Sequence, residues 1–314
     1  MKKKRKLKKE VYYVLGFIIV IIVAIFGSIK YFKYINSYEY KLNKIGYDNE
    51  QIEIIKKYSD NEIKDILNRK YNKTIVSLMK QKYFLFKNLD RYLNYYKEHK
   101  SDKLSHVISI VNVKADYDWY DEDAIIESDT SKENLILVNK FYYLTKEFEP
   151  KNITKIKNTY AYDNNSASEE VIEAFINMCN AAKSEDLKLI INSSYRNYEE
   201  QEDAWNWYDY NYGEEKADKY AARAGYSEHQ TGLAIDISKY GKNEEDFEDT
   251  DEFKWLEKNA YKYGFILRYP KGKEDITGYD YESWHYRYVG KEVAKKIKQE
   301  KITFDEYYAY YIEK

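Results

Sequence analysis

Two short polar stretches, about fifty residues apart, constrain how this chain can fold. The first contains His229 and Asp236, and the second contains Glu282 and His285. On a straight strand the seven residues from His229 to Asp236 would span roughly 23 Å, which is too far for both side chains to bind one ion. The chain must therefore fold back between them, and Gly232 is the residue best able to adopt the conformation that this requires.

Both stretches also alternate between apolar and polar residues, as strands with one buried face do. In residues 233–238 the apolar side chains would face one way and Asp236 the other, and in residues 284–289 His285 lies opposite the aromatic residues. We therefore expect two neighbouring strands that present Asp236 and His285 to the same ion. Glu282 is an odd number of residues from His285, so it can approach the site only if the chain leaves strand geometry directly before His285.

The residue types in these stretches suit one kind of chemistry. Two histidines and an aspartate can form a three-ligand zinc site with an open coordination position, and a free glutamate nearby can act as a base. The chain has only four histidines, and two of them lie in these stretches beside acidic residues. His99 lies in a segment without a plausible metal set, and His106 is interpreted as structural.

The N-terminal residues have the pattern of a membrane anchor. Residues 11–29 contain no charged residue, and as a helix they would extend roughly 28 Å, close to the ~30 Å hydrocarbon core of a bilayer. Residues 1–9 carry seven Lys or Arg, which favours a cytoplasmic N-terminus and an extracellular body. A cleaved signal peptide is disfavoured because no small-x-small site follows the apolar run. We predict a basic cytoplasmic head at residues 1–10 and a single-pass anchor at residues 11–30.

The rest of the chain is acidic. With those seven residues set aside, 45 basic residues face 54 acidic ones, a formal balance of −9. Nucleic acid repels such a surface, so no nucleic-acid partner is expected.

The pattern of elements favours an α+β fold. Residues 31–133 are predicted to form a helical spacer and linker, and residues 134–314 the metal-binding domain. In the linker, residues 107–113 are rich in Val and Ile and are predicted to form a strand. A helix is expected at residues 214–224, with Gly225 as its stop. Because strands and helices are interspersed without a βαβ rhythm, we expect a small, mostly antiparallel sheet with flanking helices.

At the two polar stretches the sequence resembles the VanY-type D-alanyl-D-alanine carboxypeptidases, which are zinc peptidases acting on bacterial cell-wall peptides. The resemblance covers roughly residues 134–314. The matching positions of its two main motifs are Ser227, His229, Asp236, Glu282, His285, Arg287, Tyr288, Val289 and Gly290. The matching positions of its upstream motif are Ser194, Tyr195, Arg196 and Gln201.

The resemblance assigns roles to the central residues. It implies His229, Asp236 and His285 as ligands of Zn²⁺ and Glu282 as the catalytic base. It implies Arg196 as a group that faces the substrate and either holds a terminal carboxylate or stabilises the developing oxyanion. A guanidinium suits a carboxylate because its planar fork donates two charge-assisted hydrogen bonds.

Three further positions carry open alternatives or weaker assignments. Ser227 either contacts substrate or caps the turn before His229. Gln201 is assigned to substrate binding from the upstream motif alone. Arg287 either supports the site from behind or forms a structural ion pair. The implied fold is the small α+β fold shared with the metal-binding domain of hedgehog proteins, here preceded by a transmembrane helix and a helical spacer.

The implied activity is a zinc-dependent D,D-carboxypeptidase that removes the terminal D-Ala from peptidoglycan stem peptides. Its catalytic domain would lie outside the cell, held at the membrane by the N-terminal helix. An L,D-carboxypeptidase acting on tetrapeptide stems would use the same fold and site. An alternative from another class is a non-catalytic cell-wall-binding module that contains zinc.

Overall fold

The computed structural model describes residues 8–162, 164–241 and 244–313, and its contacts separate two compact units, one that ends at Ser105 and one that begins at His106. The helices are α1 (Lys9–Ile35), α2 (Tyr38–Ile45), α3 (Asn49–Ile55), α4 (Asp60–Leu67), α5 (Lys73–Met79), α6 (Leu89–Glu98), α7 (Leu104–Asn112), α8 (Glu169–Lys183), α9 (Tyr198–Tyr212), α10 (Glu214–Tyr220), α11 (Asp251–Asn259), α12 (Glu274–Thr277), α13 (Lys291–Glu300) and α14 (Phe304–Tyr311). The strands are β1 (Ile126–Glu127), β2 (Tyr142–Tyr143), β3 (Ile153–Lys155), β4 (Ser166–Ser168), β5 (Leu189–Ser193), β6 (Ala234–Lys239), β7 (Phe265–Leu267) and β8 (His285–Tyr288).

The first unit begins with the long apolar helix α1, which buries none of its residues. Among the described residues it is the one helix long and apolar enough to cross a membrane. A signal sequence near the N-terminus would share both properties. The predicted anchor therefore lies in a suitable helix, while its topology and orientation stay a prediction.

The helices α2 to α6 form a small helical body with its own core. Its buried apolar side chains include Leu42, Ile52, Ile55, Ile63, Ile66, Leu78 and Tyr92. The short helices α3 and α4 begin with capping boxes, Asp48 with Gln51 and Ser59 with Glu62, which satisfy backbone N–H groups at the helix starts. This helical body agrees with the predicted helical character of the spacer.

The second unit contains a four-stranded antiparallel sheet in the order β5-β6-β8-β7. The helix α8 packs on one face of the sheet, where Val171 and Phe175 share a core with Ile235, Ile237 and Tyr286. The opposite face of β6 and β8 carries the polar residues of the two stretches. The predicted α+β class with a small antiparallel sheet is therefore confirmed.

Two of the local predictions are wrong. Residues 107–113 are not a strand, because Val107 to Asn112 lie in helix α7 with every side chain buried. A fully buried helix lacks a polar face, so its apolar run cannot be distinguished from that of a buried strand. Gly225 is not a helix stop either, because α10 ends at Tyr220.

Gly225 serves a different packing need. Its φ is +85°, and a Cβ at this position would lie 2.7 Å from the carbonyl oxygen of Leu144. Its own carbonyl accepts a hydrogen bond from the N–H of Leu144. The glycine thus permits close backbone contact beside the polar stretch that follows. The domain boundaries at residues 30 and 133 stay a prediction, and the contacts group residues 106–133 with the second unit.

Candidate metal centre and cleft

The predicted fold-back between His229 and Asp236 is present. The segment Glu228–Thr231 forms a 3₁₀ turn whose first N–H groups are capped by Ser227, with the Ser227 hydroxyl accepting from the His229 N–H at 3.3 Å. Gly232 ends the turn in the left-handed region, at φ +68°. A Cβ there would collide with the Cδ1 of Ile153. A side chain at this position would thus strain the backbone and require Ile153 to move.

The neighbouring strands bring the other two ligand candidates together. Asp236 on β6 lies directly opposite His285 on β8 in the antiparallel register. Asp236 Oδ2 is 3.4 Å from His229 Nε2, and Asp236 Oδ1 is 3.3 Å from His285 Nδ1. Each of the three residues offers a ligand atom within 4.8 Å of the others, and all three are buried. The expected strand pair and the shared face are therefore confirmed.

A backbone contact fixes the tautomer of His229. Its Nδ1 lies 2.6 Å from the carbonyl oxygen of Ser194, directly after strand β5. A carbonyl oxygen can only accept, so Nδ1 carries the proton and Nε2 keeps its lone pair. The ring is thus held with its ligating nitrogen toward Asp236. A hydrogen bond of this kind on the far nitrogen is typical of metal-binding histidines.

The ring of His285 is contacted by a carboxylate at Nε2, whereas the ring of His229 is held through Nδ1. Oε2 of Glu228 lies 3.5 Å from Nε2 of His285, on the side away from Asp236. An ionised carboxylate only accepts, so this contact favours a proton on Nε2 and a lone pair on Nδ1. The two histidines therefore present different nitrogens to one point. Sequence analysis did not assign a role to Glu228, although its position beside His229 was a signal.

The charges around the two rings differ. Burial lowers the pKa of His229, and the nearby charge of Arg196 lowers it further. Burial alone would lower the pKa of His285, but the nearby carboxylates of Asp236 and Glu228 outweigh burial and raise the pKa to about 9. Burial would raise the pKa of Asp236, yet the two histidines hold it well below its usual range. The surroundings of His285 therefore favour a positive charge at Nδ1, which a proton or a bound metal ion can supply.

The donor set fits a bound cation. Asp236 Oδ1 is buried and has no hydrogen-bond partner among the described residues. Leaving such an oxygen unpaired is costly, and a positive ion between the carboxylate and the two imidazoles would remove that cost. Two imidazole nitrogens and one carboxylate oxygen are also a ligand set that zinc accepts.

Glu282 reaches the site through the expected break in strand geometry. The chain bends at residues 283–284, and β8 begins only at His285. Oε2 of Glu282 consequently lies 3.5 Å from Nδ1 of His285. Its side chain is 14% exposed and lines the same cavity as the three ligand candidates. Glu282 therefore faces a space that solvent and a ligand can enter.

Arg196 is positioned by a small polar cluster. Its Nε donates to Oε1 of Gln201 at 3.0 Å, and its Nη1 donates to the hydroxyl of Ser193 at 3.1 Å. Gln201 is itself buried and donates to the carbonyl of Ala222 at 2.7 Å. Arg196 lines the cavity, with Gln201 and Ser227 beside it. Gln201 thus orients the guanidinium in this structure, and the roles of all three residues toward substrate stay predictions.

Behind His285 lies a buried ion network, formed by Glu228, Arg268, Arg287 and Asp305. Oε1 of Glu228 accepts from Nε of Arg268 at 2.8 Å and from Nη1 of Arg287 at 3.0 Å. Arg268 also makes a two-pronged contact with Asp305, at 2.6 and 3.0 Å. All four side chains are at most 1% exposed.

The network keeps the Glu228 carboxylate ionised. Burial by itself would raise the pKa of Glu228, but the charges of Arg268 and Arg287 outweigh burial and hold the pKa well below its usual range. Nη2 of Arg287 also donates to the carbonyl of Ile136 at 2.7 Å. Both interpretations of Arg287 therefore apply, because its ion pair supports the carboxylate that contacts His285.

The ligand candidates lie in a cleft whose free volume is about 160 Å³. The ring of Tyr269 lies 4.9 Å from that of His285 and contacts Tyr279 on its other side. Side chains that form the cleft walls include Arg196, Gln201, Tyr208, Tyr220, Tyr269 and Trp284. Trp284 lines the cleft and also packs against the main core. No sequence motif marks Tyr208, Tyr220 or Tyr269 as cleft residues, so they were not predicted.

The chain matches one family of known proteins. The model of the VanY family, described as D-alanyl-D-alanine carboxypeptidase, matches residues 164–291. The putative carboxypeptidase YodJ of Bacillus subtilis (strain 168) is 41% identical over 191 residues, which are 58% of this chain and 70% of that relative.

Two solved structures are also similar. The LdcB LD-carboxypeptidase is 40% identical with a TM-score of 0.56, and the match covers 62% of this chain and 94% of that one. VanYB in complex with D-alanine-D-alanine is 30% identical with a TM-score of 0.50, and the match covers 58% of this chain and 99% of that one. Both matches agree with the fold of the second unit.

Proposed function

Because this chain belongs to the VanY family of D-alanyl-D-alanine carboxypeptidases, we propose that it removes the terminal D-Ala from peptidoglycan stem peptides in a zinc-dependent reaction. The observation that carries this proposal is the convergence of His229, Asp236 and His285 beside Glu282 in one cleft. The known relative VanYB, solved with D-alanine-D-alanine, supports the substrate class.

His229, Asp236 and His285 would hold the zinc ion through Nε2, a carboxylate oxygen and Nδ1. Three protein ligands leave a position open, as is usual in catalytic zinc sites. When bound, zinc supplies the Lewis acidity that makes water a nucleophile near neutral pH. Replacing His229 or His285 by Ala should remove the metal from the purified protein, as measured by elemental analysis.

Glu282 is the proposed proton carrier. It accepts the proton of the attacking water and passes it to the leaving amine, so that one carboxylate serves as base and then as acid. Its distance from His285 Nδ1 and its partial exposure support this role, because it is close to the ligands and still accessible. Arg196, oriented by Gln201, would bind either the terminal carboxylate of the substrate or the developing oxyanion.

A second candidate is an L,D-carboxypeptidase that acts on tetrapeptide stems. The likeness to the LdcB LD-carboxypeptidase, at 40% identity, favours this candidate. The two activities share the proposed ligands and base, and they differ in the residue that precedes the scissile bond.

One experiment tests the proposal and separates the two candidates. The full chain in detergent is incubated with a stem pentapeptide and, separately, a tetrapeptide, and the products are identified by mass. Loss of one D-Ala from the pentapeptide is expected. Cleavage of the tetrapeptide alone would replace the D,D assignment by the L,D one. Absence of both products with stoichiometric zinc bound would favour a non-catalytic wall-binding module.

We also propose that α1 anchors the enzyme in the membrane with the second unit outside the cell. The apolar helix and the seven basic residues before or at its start support this orientation. Protease treatment of intact cells tests it, and a second unit that stays protected until the cells are lysed would contradict it.

A further inference from the structure

A group of aromatic rings on α9 and α10 has no part in the chemistry described above. The outer aromatic cluster consists of Trp207, Tyr208, Tyr210, Tyr212 and Tyr220. Four of these side chains are strongly exposed, at 56% for Trp207, 91% for Tyr210, 53% for Tyr212 and 55% for Tyr220. Large apolar surface is usually exposed in this way where a protein binds something.

Four rings of the cluster, those of Trp207, Tyr208, Tyr212 and Tyr220, contact one another. Tyr208 is at its centre, with its ring 5.0 Å from that of Trp207, 6.2 Å from that of Tyr212 and 6.1 Å from that of Tyr220. The planes of Tyr208 and Tyr220 are inclined by only 27°. Contacts between rings cost little side-chain entropy to maintain, so the cluster is a preformed surface.

The cluster is continuous with the cleft. Tyr208 and Tyr220 line the cavity that contains His229, Asp236, His285 and Glu282, whereas Trp207, Tyr210 and Tyr212 lie outside that lining. A molecule bound across the rings would therefore extend from the mouth of the cleft. Under the proposed function, a stem peptide in the cleft would bring the sugar that carries it to this mouth.

The charge of α9 excludes several classes of partner. The helix contains no Lys or Arg, and it carries Glu199, Glu200, Glu202, Asp203 and Asp209. Helix α10, which carries Tyr220, has two Lys and three acidic residues, so it is net acidic as well. Anionic lipids and anionic polymers bind through clusters of basic side chains, and neither helix offers one. The partner is therefore not strongly anionic at this surface.

The composition of residues 205–212 points to an amphipathic partner. This segment contains five aromatic residues, two Asn and one Asp, with no aliphatic side chain. The faces of Trp and Tyr are electron-rich and attract the polarised C–H bonds on the flat side of a pyranose ring. Asn and Asp side chains between them can bind hydroxyl and acetamido groups.

We propose that the outer aromatic cluster binds the neutral N-acetylated sugar chain to which the stem peptide is attached. This inference rests on the proposed function, since it takes the stem peptide as the occupant of the cleft. The sugar stacks on Trp207 and Tyr212 while the peptide enters past Tyr208 and Tyr220. The cluster thereby favours stem peptides still attached to glycan over free ones.

The test compares two substrates with the full chain in detergent. One is the free stem pentapeptide, and the other is the same peptide on its disaccharide. Changing Trp207→Ser and Tyr212→Ser together should lower kcat/KM for the glycan-linked substrate about four- to hundredfold, at roughly two- to tenfold for each ring. The rate on the free peptide should stay within twofold, because neither side chain lines the cleft.

Two matched variants make the result specific. Tyr240→Ser removes an exposed tyrosine, 66% accessible, that lies outside the cleft lining, and it should leave both rates unchanged. Trp207→Phe keeps an aromatic ring at this position, so this variant should retain most of the original chain's preference for the glycan-linked substrate. A direct binding arm uses insoluble chitin, which is a neutral N-acetylated sugar chain without peptide, and the double serine variant should sediment with it less than the original chain does.

The outcomes separate this inference from the proposed function. If the original chain cleaves neither substrate, the proposed function fails, while sedimentation with chitin still decides the sugar-binding claim. If it cleaves both and the double variant retains the preference and the sedimentation, the inference alone is overturned. An equal loss on both substrates would overturn the inference by assigning the cluster to the peptide. A smaller assembly of the double variant than of the original chain in analytical ultracentrifugation would overturn it by assigning the cluster to a contact between copies.

Discussion

Two carboxylates flank the ring of His285 at the same distance and in opposite surroundings. Oε2 of Glu228 and Oε2 of Glu282 each lie 3.5 Å from a ring nitrogen, Nε2 in the first case and Nδ1 in the second. Glu228 is completely buried and contacts two arginines, whereas Glu282 is partly exposed in the cleft. The buried ion network and the cleft thus meet at one imidazole.

The difference teaches how one residue type is given two tasks. Glu228 is surrounded by Arg268 and Arg287, so its charge is permanent and its position fixed. Such a group orients a ligand but cannot exchange protons at physiological pH. Glu282 is accessible and is the carboxylate able to take part in proton transfer. Burial and counter-charge, rather than distance to the ring, separate the two roles.

The largest expected effect is on turnover when Glu282 is changed to Gln. The amide keeps the shape but cannot accept a proton, so we expect kcat to fall by roughly 10³-fold. Zinc content, measured by elemental analysis, should be unchanged because Glu282 is not a proposed ligand. Retention of full turnover in this variant would remove Glu282 from its role as base.

The next effect is on stability when Glu228 is changed to Gln. Removing one charge leaves Arg268 and Arg287 buried with too little compensation, which should cost about 3–5 kcal/mol of unfolding free energy. All five tryptophans, from Trp119 to Trp284, lie in the second unit, so fluorescence during urea unfolding reports on that unit alone. Glu282→Gln is the matched control and should change stability by less than about 0.5 kcal/mol. Equal unfolding free energies of the two variants would show that the carboxylate in the buried ion network is no more important for stability than the one in the cleft.

Lys140 is a third buried cation, and its contacts differ from those that the two arginines of the buried ion network make with Glu228. Its ammonium donates to the carbonyl of Asp218 at 2.7 Å and lies 4.5 Å from the ring centre of Tyr279. Burial lowers the pKa of Lys140 to about 8. Between about pH 8 and 10.5 the unfolded chain binds more protons at this residue than the folded one, so stability should rise with pH in that window. Below about pH 8 the folded state bears the full free-energy cost of burying the Lys140 charge.

The measurement for Lys140 is the difference in unfolding free energy between the original chain and Lys140→Met. From pH 7.5 to 10 the original chain should gain about 2–3 kcal/mol relative to the variant, since other titrating groups cancel in the difference. A difference that stays flat across this range would show that Lys140 is as well compensated as the arginines.

The smallest effect concerns Ser227, which adjoins both regions. As a cap of the turn before His229, its hydroxyl should contribute about 1 kcal/mol, so Ser227→Ala should lower stability by that amount with little change in KM. Ser227→Asn keeps an acceptor and should recover most of the loss. A tenfold rise in KM with unchanged stability would instead make Ser227 a substrate contact.

The sequence was sufficient to predict how the three ligand candidates and Glu282 come together. The distance between His229 and Asp236 required a turn at Gly232, and strand alternation placed Asp236 and His285 on one face. Because Glu282 is an odd number of residues from His285, it could reach the site only through a bend, and that bend precedes β8. These features follow from local geometry, which periodicity encodes.

The buried ion network behind His285 was not predictable in the same way. Arg268 meets Glu228 across 40 positions and Asp305 across 37, and neither arginine nor aspartate stands in a pattern that marks a partner. Helix α7 was misassigned for a related reason, because its Ser109 is accommodated by Glu306 nearly two hundred residues away. Pairings at such separation depend on tertiary packing, for which a single sequence carries no periodic signal.

Asp305 has a consequence for when this protein first becomes competent during its own synthesis. A growing chain contains His229, Asp236, Glu282 and His285 before it contains Asp305, on which Arg268 depends. Until helix α14 has been made and has docked, Arg268 lacks one of its two counter-charges and the Glu228 carboxylate is less firmly held. The nascent chain therefore carries its complete set of reactive groups before the ion network behind them is complete, and we expect activity to appear only after α14 has docked.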